Sequence, residues 1–306
     1  MVQQRSAVAV SEEVRAAVSD GAPVLALETT ILTHGLPRPR NLEVGRQAEA
    51  LIRQAGVVPA TIGVVAGVPT VGLSDDELER LCTVPSVKAS VRDLPFLAMR
   101  GLDAGTTVAA TAFLAHAAGI RAMSTGGLGG VHRGASESFD ESADLGTLAR
   151  TPIALVSAGV KSILDIGATL ERIETLNIPI VGYRTNAYPG FYVADSGHRI
   201  EHRIESAAEA ADVIRARDAL GLQAAVLIAN PVAAHLQLDP DLHEKVLAAA
   251  LAATTDQGIT GHDITPFLLD YLQRETQGKS LDVNLEVYRG NVELGAQVAL
   301  ALAARD

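Results

Sequence analysis

The feature that most constrains this chain is a series of short, continuous apolar runs, each followed by a segment of helical period. Pro23 to Glu28 (PVLALE), Ala60 to Gly67 (ATIGVVAG), Ile120 to Thr125 (IRAMST), Pro152 to Gly159 (PIALVSAG), Pro179 to Thr185 (PIVGYRT) and Ala224 to Asn230 (AAVLIAN) read as buried strands. Strands apolar on both faces belong to parallel sheets covered by helices on each side. Between them, Leu42 to Gly56, Ser162 to Asn177, Ser206 to Gly221 and Asp241 to Gly258 carry helical periodicity. This βα rhythm predicts an α/β fold, three-layer α/β/α with a largely parallel central sheet. No repeat, low-complexity tract or linker divides the 306 residues, so one domain over 1–306 is expected, with 1–10 a loose leader.

Composition narrows the partners. Aromatic residues are 3% and Trp is absent, so the core is built from Ala, Val, Leu and Ile, which suits helices packed closely on a sheet. A net charge of −11 argues against nucleic acid or an anionic membrane as the main partner. It leaves room for a phosphorylated metabolite, which local donors recognise. The single Cys82 fits a reducing cytoplasm, and no apolar stretch reaches the roughly 18 residues of a membrane span.

Local signals add detail. Ser11 and Ser74 precede acidic helix starts, and Asn41 stands where a cap is expected. Val68 to Leu73 (VPTVGL) reads as a further strand meeting its predecessor at Gly67. The tail reads as two helices, around Pro266 to Gly278 and Asn291 to Ala304, separated by Lys279 to Gly290.

Functional groups in open α/β sheets collect just past the carboxyl ends of strands. Glu28 is at such a place, although a solvated carboxylate at a strand edge is the plainer alternative. Lys88 interrupts an apolar, β-prone run, so it is either an edge-strand residue or a group pointing into a site. The helix expected from Gly105 opens with Thr106 and Thr107, either a phosphate seat or an ordinary capped start.

The densest chemistry lies between Ser124 and Lys161. The glycines 126, 127, 129 and 130 are no dinucleotide fingerprint, because the third glycine at fixed spacing and the following apolar helix are missing. His132 and Arg133 follow instead, which suits backbone N–H groups approaching an anion. Glu137, Asp140, Glu141 and Asp144 fall within eight residues. They suit a hard ion such as Mg²⁺ or Mn²⁺ held by few carboxylates and several waters, or simply a solvated acidic loop. Lys161 is expected at or just before the first turn of a helix, where the positive dipole end opposes protonation and favours a Schiff-base nucleophile. The run His198 to His202 (HRIEH) matches the inverted zinc-protease pattern, but its turn-rich setting marks a chance match.

Together these segments resemble a known family. ALETTILTHGLPRPRN (Glu28), KASVRDL (Lys88), AGTTVAAT (Val108), STGGLGGVHRG, SFDESADL (Asp140, Asp144) and SAGVKSILDIG (Lys161) are similar, in order, to the pseudouridine-5'-phosphate glycosidases, which include indigoidine synthase A proteins. YRTNAYPGFY, IANP and LDVNLEVYRGNVELGAQVA extend the likeness, which runs from about Val14 to the end. The resemblance implies a cytoplasmic homotrimer that reversibly splits pseudouridine 5'-phosphate into uracil and ribose 5-phosphate with a divalent metal, typically Mn²⁺. By position it implies Lys161 as nucleophile, Glu28 as proton donor and Asp140 as metal ligand. Lys88, Val108, Ser142, Ala143 and Asp144 match substrate contacts, with His132 and Asn284 in matching segments. Lys88, His132 and the helix start at Thr106 are expected to position the phosphate. The competing readings are a Schiff-base lyase or aldolase on another phosphosugar, and an accessory protein of indigoidine-type pigment biosynthesis. A sugar kinase would need an ATP-phosphate loop that the sequence lacks.

Overall fold

A computed structural model describes residues 8–259 and 264–304. In chain order its elements are β1 (Ala9–Val10), α1 (Glu12–Asp20), β2 (Val24–Leu27), α2 (Arg40–Gln54), β3 (Val58–Val65), β4 (Val68–Val71), α3 (Asp75–Thr83), β5 (Val87–Ala89), α4 (Leu94–Arg100), β6 (Ala104–Thr106), α5 (Val108–Ala117) and β7 (Ala122–Ser124). There follow α6 (Ala135–Ser138), α7 (Ala143–Leu148), β8 (Ala154–Ser157), α8 (Ile166–Thr175), β9 (Ile180–Tyr183), β10 (His202–Ile204), α9 (Ala207–Ala219), β11 (Val226–Ala229), α10 (Pro240–Asp256), α11 (Ile264–Glu275) and α12 (Lys279–Ala303).

The strands form one sheet in the order β1-β4-β3-β2-β7-β8-β11-β9-β10, with β6 pairing β3 and β5. Pairing is parallel from β3 through β10, while β3 meets β4 and β6 antiparallel. The expected α/β architecture with a mostly parallel sheet is therefore the observed one. Alternation along β2 divides two cores: Leu25 and Leu27 pack with Ile52 of α2 and Val292 of α12, while Val24 and Ala26 pack on the opposite face with Ala112 of α5.

Several local expectations differ. The leader is ordered at its end, where Ala9 pairs with Thr70 and Val10 with Val71 in parallel; residues 1–7 lie outside those described. Asn41 does not cap α2. It is buried in the first turn, and its amide donates to Leu32 O and Cys82 O at 2.9 and 3.0 Å, tying loop to helix. Gly105 and Thr106 belong to β6, so α5 starts only after Thr107, whose hydroxyl accepts from Ala110 N. The segment 161–165 is a turn, because Asp165 caps α8 by accepting from Ala168 N at 2.9 Å.

The tail differs most. Lys279 to Gly290, expected to separate two helices, is the first half of the continuous α12. This helix packs on β2, β7 and β8 and against α2 and α9, burying residues around most of its circumference, and such a helix shows no single apolar stripe. Gly295 permits the close approach, since a Cβ there would lie 3.1 Å from both Leu25 and Ser124 side chains.

Candidate active site

A cleft of about 1200 Å³ opens over the carboxyl ends of β2, β7 and β8. The register aligns Leu27 with Ser124 and Ser124 with Val156, so the residues just past these strands converge although they are far apart in sequence. Of the candidates, Glu28, Lys88, His132, Asp140, Lys161 and Asn284 line this cleft. Thr30 Oγ1, Ser162 Oγ and Asn284 Oδ1 are buried on its wall without a partner among the described residues, which equips it for a polar ligand.

Glu28 is 5% exposed, and the Thr125 hydroxyl donates to its Oε1. Burial pushes its pKa above the ordinary carboxylate range; the charge of Lys161 opposes that most strongly, then the Thr125 bond, while Asp144 reinforces it and Lys88 opposes it weakly. A carboxyl biased to keep its proton is what a proton donor needs.

Lys161 follows Val160, which forms a parallel bridge with Leu128, and its backbone N–H donates to Leu128 O at 3.1 Å. A turn anchored on the glycine segment, rather than a helix end, therefore aims this side chain, and the dipole argument made from sequence does not apply. Lys88 is both things the sequence allowed: among the described residues β5 pairs only with β6, and the side chain reaches the cleft. It faces open solvent on one side yet is crowded by protein on the other. That desolvation lowers its pKa, and the charge of Lys161 lowers it further against Asp144 and Glu28. His34, at the same wall, is lowered by desolvation and then by Lys88.

The acidic run does not act as a unit. Asp144 turns inward, its Oδ1 accepting from Ala109 N and its Oδ2 from Gly129 N, both at 2.9 Å. Its carboxylate thus occupies the start of α5 that the sequence offered to phosphate, and Thr106 is fully buried with its hydroxyl on Ile62 O. The phosphate role expected of Thr106 is withdrawn. Glu141 pairs with Arg172 at 2.8 Å, and Glu137 is exposed on α6. Val108 is buried in the core, Ser142 caps α7 by accepting from Asp144 N, and Ala143 is exposed; neither these three nor Asp144 lines the cleft.

Asp140 alone of the four lines the cleft, with His132 Nδ1 3.7 Å from its Oδ2. Among the described residues no three His, Cys, Asp or Glu side chains gather as a metal cage. One carboxylate on an open wall fits a hard divalent ion that keeps most of its water, as Mg²⁺ and Mn²⁺ do. The run 198–202 passes through a turn into β10 rather than along a helix, so its histidines do not present a zinc face.

The family model of indigoidine synthase A like proteins matches residues 13–301. The chain belongs to this family. A pseudouridine-5'-phosphate glycosidase of Saccharopolyspora erythraea is 62% identical over 295 residues, covering 96% of this chain and 97% of the relative. One from Frankia alni is 54% identical over 99% of this chain and 84% of its own length. Among solved structures, a prealnumycin C-glycosynthase in complex with ribulose 5-phosphate superposes with TM-score 0.90 at 32% identity, each chain covered to 97%. An indigoidine synthase A-like protein of Thermotoga maritima gives 0.88 at 35% identity, covering 99% of this chain and all of the other.

In this indigoidine synthase A-like chain the sequence reading missed Thr125, Phe139 and Asn291. Thr125 could have been found as the residue past β7, by the rule that found Glu28. Phe139, 84% exposed on the cleft wall beside Asp140, was hidden inside the acidic run. Asn291 was unreadable, because its meaning depends on where α12 docks. The glycine turn also has two uses: Gly126 and Gly127 face the cleft, whereas Gly129 and Gly130 are packing positions. A Cβ at 129 would lie 2.2 Å from Ser142 Oγ and 2.7 Å from Asp144 Oδ2. Gly129→Ala is therefore expected to lower unfolding stability by about 1–3 kcal/mol, read by urea denaturation. A variant as stable as wild type would show that the Asp144 clamp yields without cost.

Proposed function

We propose that the protein is a pseudouridine-5'-phosphate glycosidase, reversibly cleaving the C–C glycosidic bond of pseudouridine 5'-phosphate to uracil and ribose 5-phosphate. The observation that carries this reading is a buried Glu28, its pKa raised by that burial, facing Lys161 in one cleft, in a chain so similar to named glycosidases. A carbon leaving group has no lone pair to protonate, so the two-carboxylate mechanism of ordinary glycosidases does not serve. In the proposed course the neutral Lys161 Nζ bonds to C1' as the C1'–O4' bond breaks, opening the ribose ring, and a proton of the amine passes to O4'. Glu28 then delivers its proton to C5 of uracil while the C1'–C5 electron pair goes to that carbon. The iminium left at C1' takes up water, releasing ribose 5-phosphate, and the proton left on the amine returns to the Glu28 carboxylate, restoring both groups. Lys88 and His132, cationic or donor groups on the same wall, suit the phosphate end, and the Asn284 amide suits a base edge.

A divalent cation, proposed to be Mn²⁺, would be held by Asp140 and would supply polarisation of sugar or base oxygens. Mixing enzyme with pseudouridine 5'-phosphate is expected to change the ultraviolet absorbance as uracil forms, with the rate lost on chelation and restored by Mn²⁺. Asp140→Asn is expected to raise the Mn²⁺ concentration needed for half activity by about 10–100-fold; unchanged metal dependence would move the metal elsewhere. No absorbance change in the wild type under any metal would refute the activity itself.

Cytoplasmic location and a homotrimer are part of the same proposal. No helix among the described residues is long and apolar enough to cross a membrane. Val68 of β4, Val87 of β5, Phe96 and Met99 of α4 and Leu102 just beyond it are exposed, apolar surface suited to self-association.

A further inference from the structure

Asn284, Tyr288, Asn291 and Gly295 of α12 form a stripe spaced at helical intervals. Asn291 is 1% exposed. Its Nδ2 donates to Thr125 O at 2.8 Å and Gly126 O at 3.1 Å, and its Oδ1 accepts from Asn230 Nδ2 at 3.0 Å. Asn230 is the residue just past β11, and its own N–H donates to Ser157 O at 2.8 Å. The far end of this chain is the Thr125 hydroxyl, fully buried, whose hydrogen bond goes to Glu28 Oε1. Strand ends of β2, β7, β8 and β11 are thereby tied to one helix through a continuous set of buried and half-buried polar bonds. Such a network is costly to bury unless each member is satisfied, and its shape holds one arrangement.

We infer that Thr125, held by Asn291, is a positioning residue that fixes where the Glu28 carboxyl points and how its proton is held. The inference rests on Glu28 being the proton donor proposed above. A threonine hydroxyl has one proton to give, and here it goes to the carboxylate, so the bond favours the ionised form. The other groups acting on Glu28 are Lys161 and Lys88, which also favour ionisation, and Asp144, which opposes it. Tyr288, whose buried hydroxyl has no partner among the described residues, is kept neutral by burial, with Glu28 and Glu49 adding to it. Thr125 is the only hydrogen-bonding group among them, which makes it separable from them by substitution.

Cleavage needs Glu28 protonated, so kcat/KM falls as pH rises through its pKa. Thr125→Val keeps the shape and removes the O–H. It is expected to lower the plateau about tenfold and to move the high-pH limb up by about one pH unit. Thr125→Ser is expected to return the limb to its wild-type position. Asn291→Leu removes the donor to both carbonyls and is expected to move the limb the same way as Thr125→Val. Adduct formation with ribose 5-phosphate, trapped by borohydride, checks that each variant is folded with Lys161 in place. A limb unmoved in Thr125→Val, or moved equally in Thr125→Ser, overturns the positioning role. If the limb survives in the residual rate of Glu28→Gln, the proton-donor reading fails and the inference falls with it.

Discussion

Lys161→Ala is expected to lower turnover of pseudouridine 5'-phosphate by about 10⁴-fold or more, the scale on which loss of a covalent nucleophile is felt. The cleft contains a rival, since Lys88 also reaches it and burial lowers the pKa of Lys88 toward the neutral amine that attacks carbon. Two observations favour Lys161. It emerges past β8, beside β7 and one strand from β2, whereas Lys88 comes from an edge strand paired to β6. Among the charges acting on Glu28, Lys161 is the strongest and Lys88 the weakest, so the acid and Lys161 are the closely coupled pair. Lys88→Ala is accordingly expected to raise KM for the phosphorylated substrate far more than it lowers kcat. A kcat lost equally in both variants would remove the distinction.

Glu28→Gln is expected to lower turnover by about 10²- to 10⁴-fold, the usual range for a positioned general acid. It should leave the exchange between the Lys161 iminium and water intact, so the variant still forms its adduct with ribose 5-phosphate by the reverse of that step. A stability readout accompanies the kinetic one. The folded-state pKa of Glu28 is raised, so the native state holds a proton that the unfolded chain releases near the ordinary glutamate value of 4.5. Wild-type stability therefore falls as pH rises from there through the folded-state pKa. Glutamine carries no such titration, and the variant gains on wild type across that window. Urea unfolding of both proteins at several pH values measures the difference; parallel pH dependences would mean Glu28 is not desolvated as the cleft geometry requires.

The sheet was legible because its strands are continuous apolar runs, and Glu28, Lys88 and Lys161 were legible because each breaks or ends an apolar run with a charge, whereas Asp140 was singled out from its acidic run only by the family resemblance. What could not be read depended on tertiary placement. The acidic run looked like one ligand set, yet Asp144 is spent on two backbone N–H groups while Asp140 faces the cleft. Lys161 looked like a helix-start residue because Ser162 onward has helical periodicity, but Asp165 offers a better cap and delays the helix. The tail was divided at Lys279 to Gly290 because a helix buried around most of its circumference loses the one-sided pattern that marks surface helices. That misreading also concealed Asn291, since a buried asparagine in a helix has no meaning until the strand ends it bonds are known.

Covalent trapping addresses the central claim most directly. Enzyme incubated with ribose 5-phosphate and reduced with borohydride is digested, and the modified peptide is mapped. The account predicts one sugar adduct, on Lys161, present in Glu28→Gln and absent in Lys161→Ala. An adduct on Lys88, or none on a wild-type enzyme that turns over substrate, would contradict it.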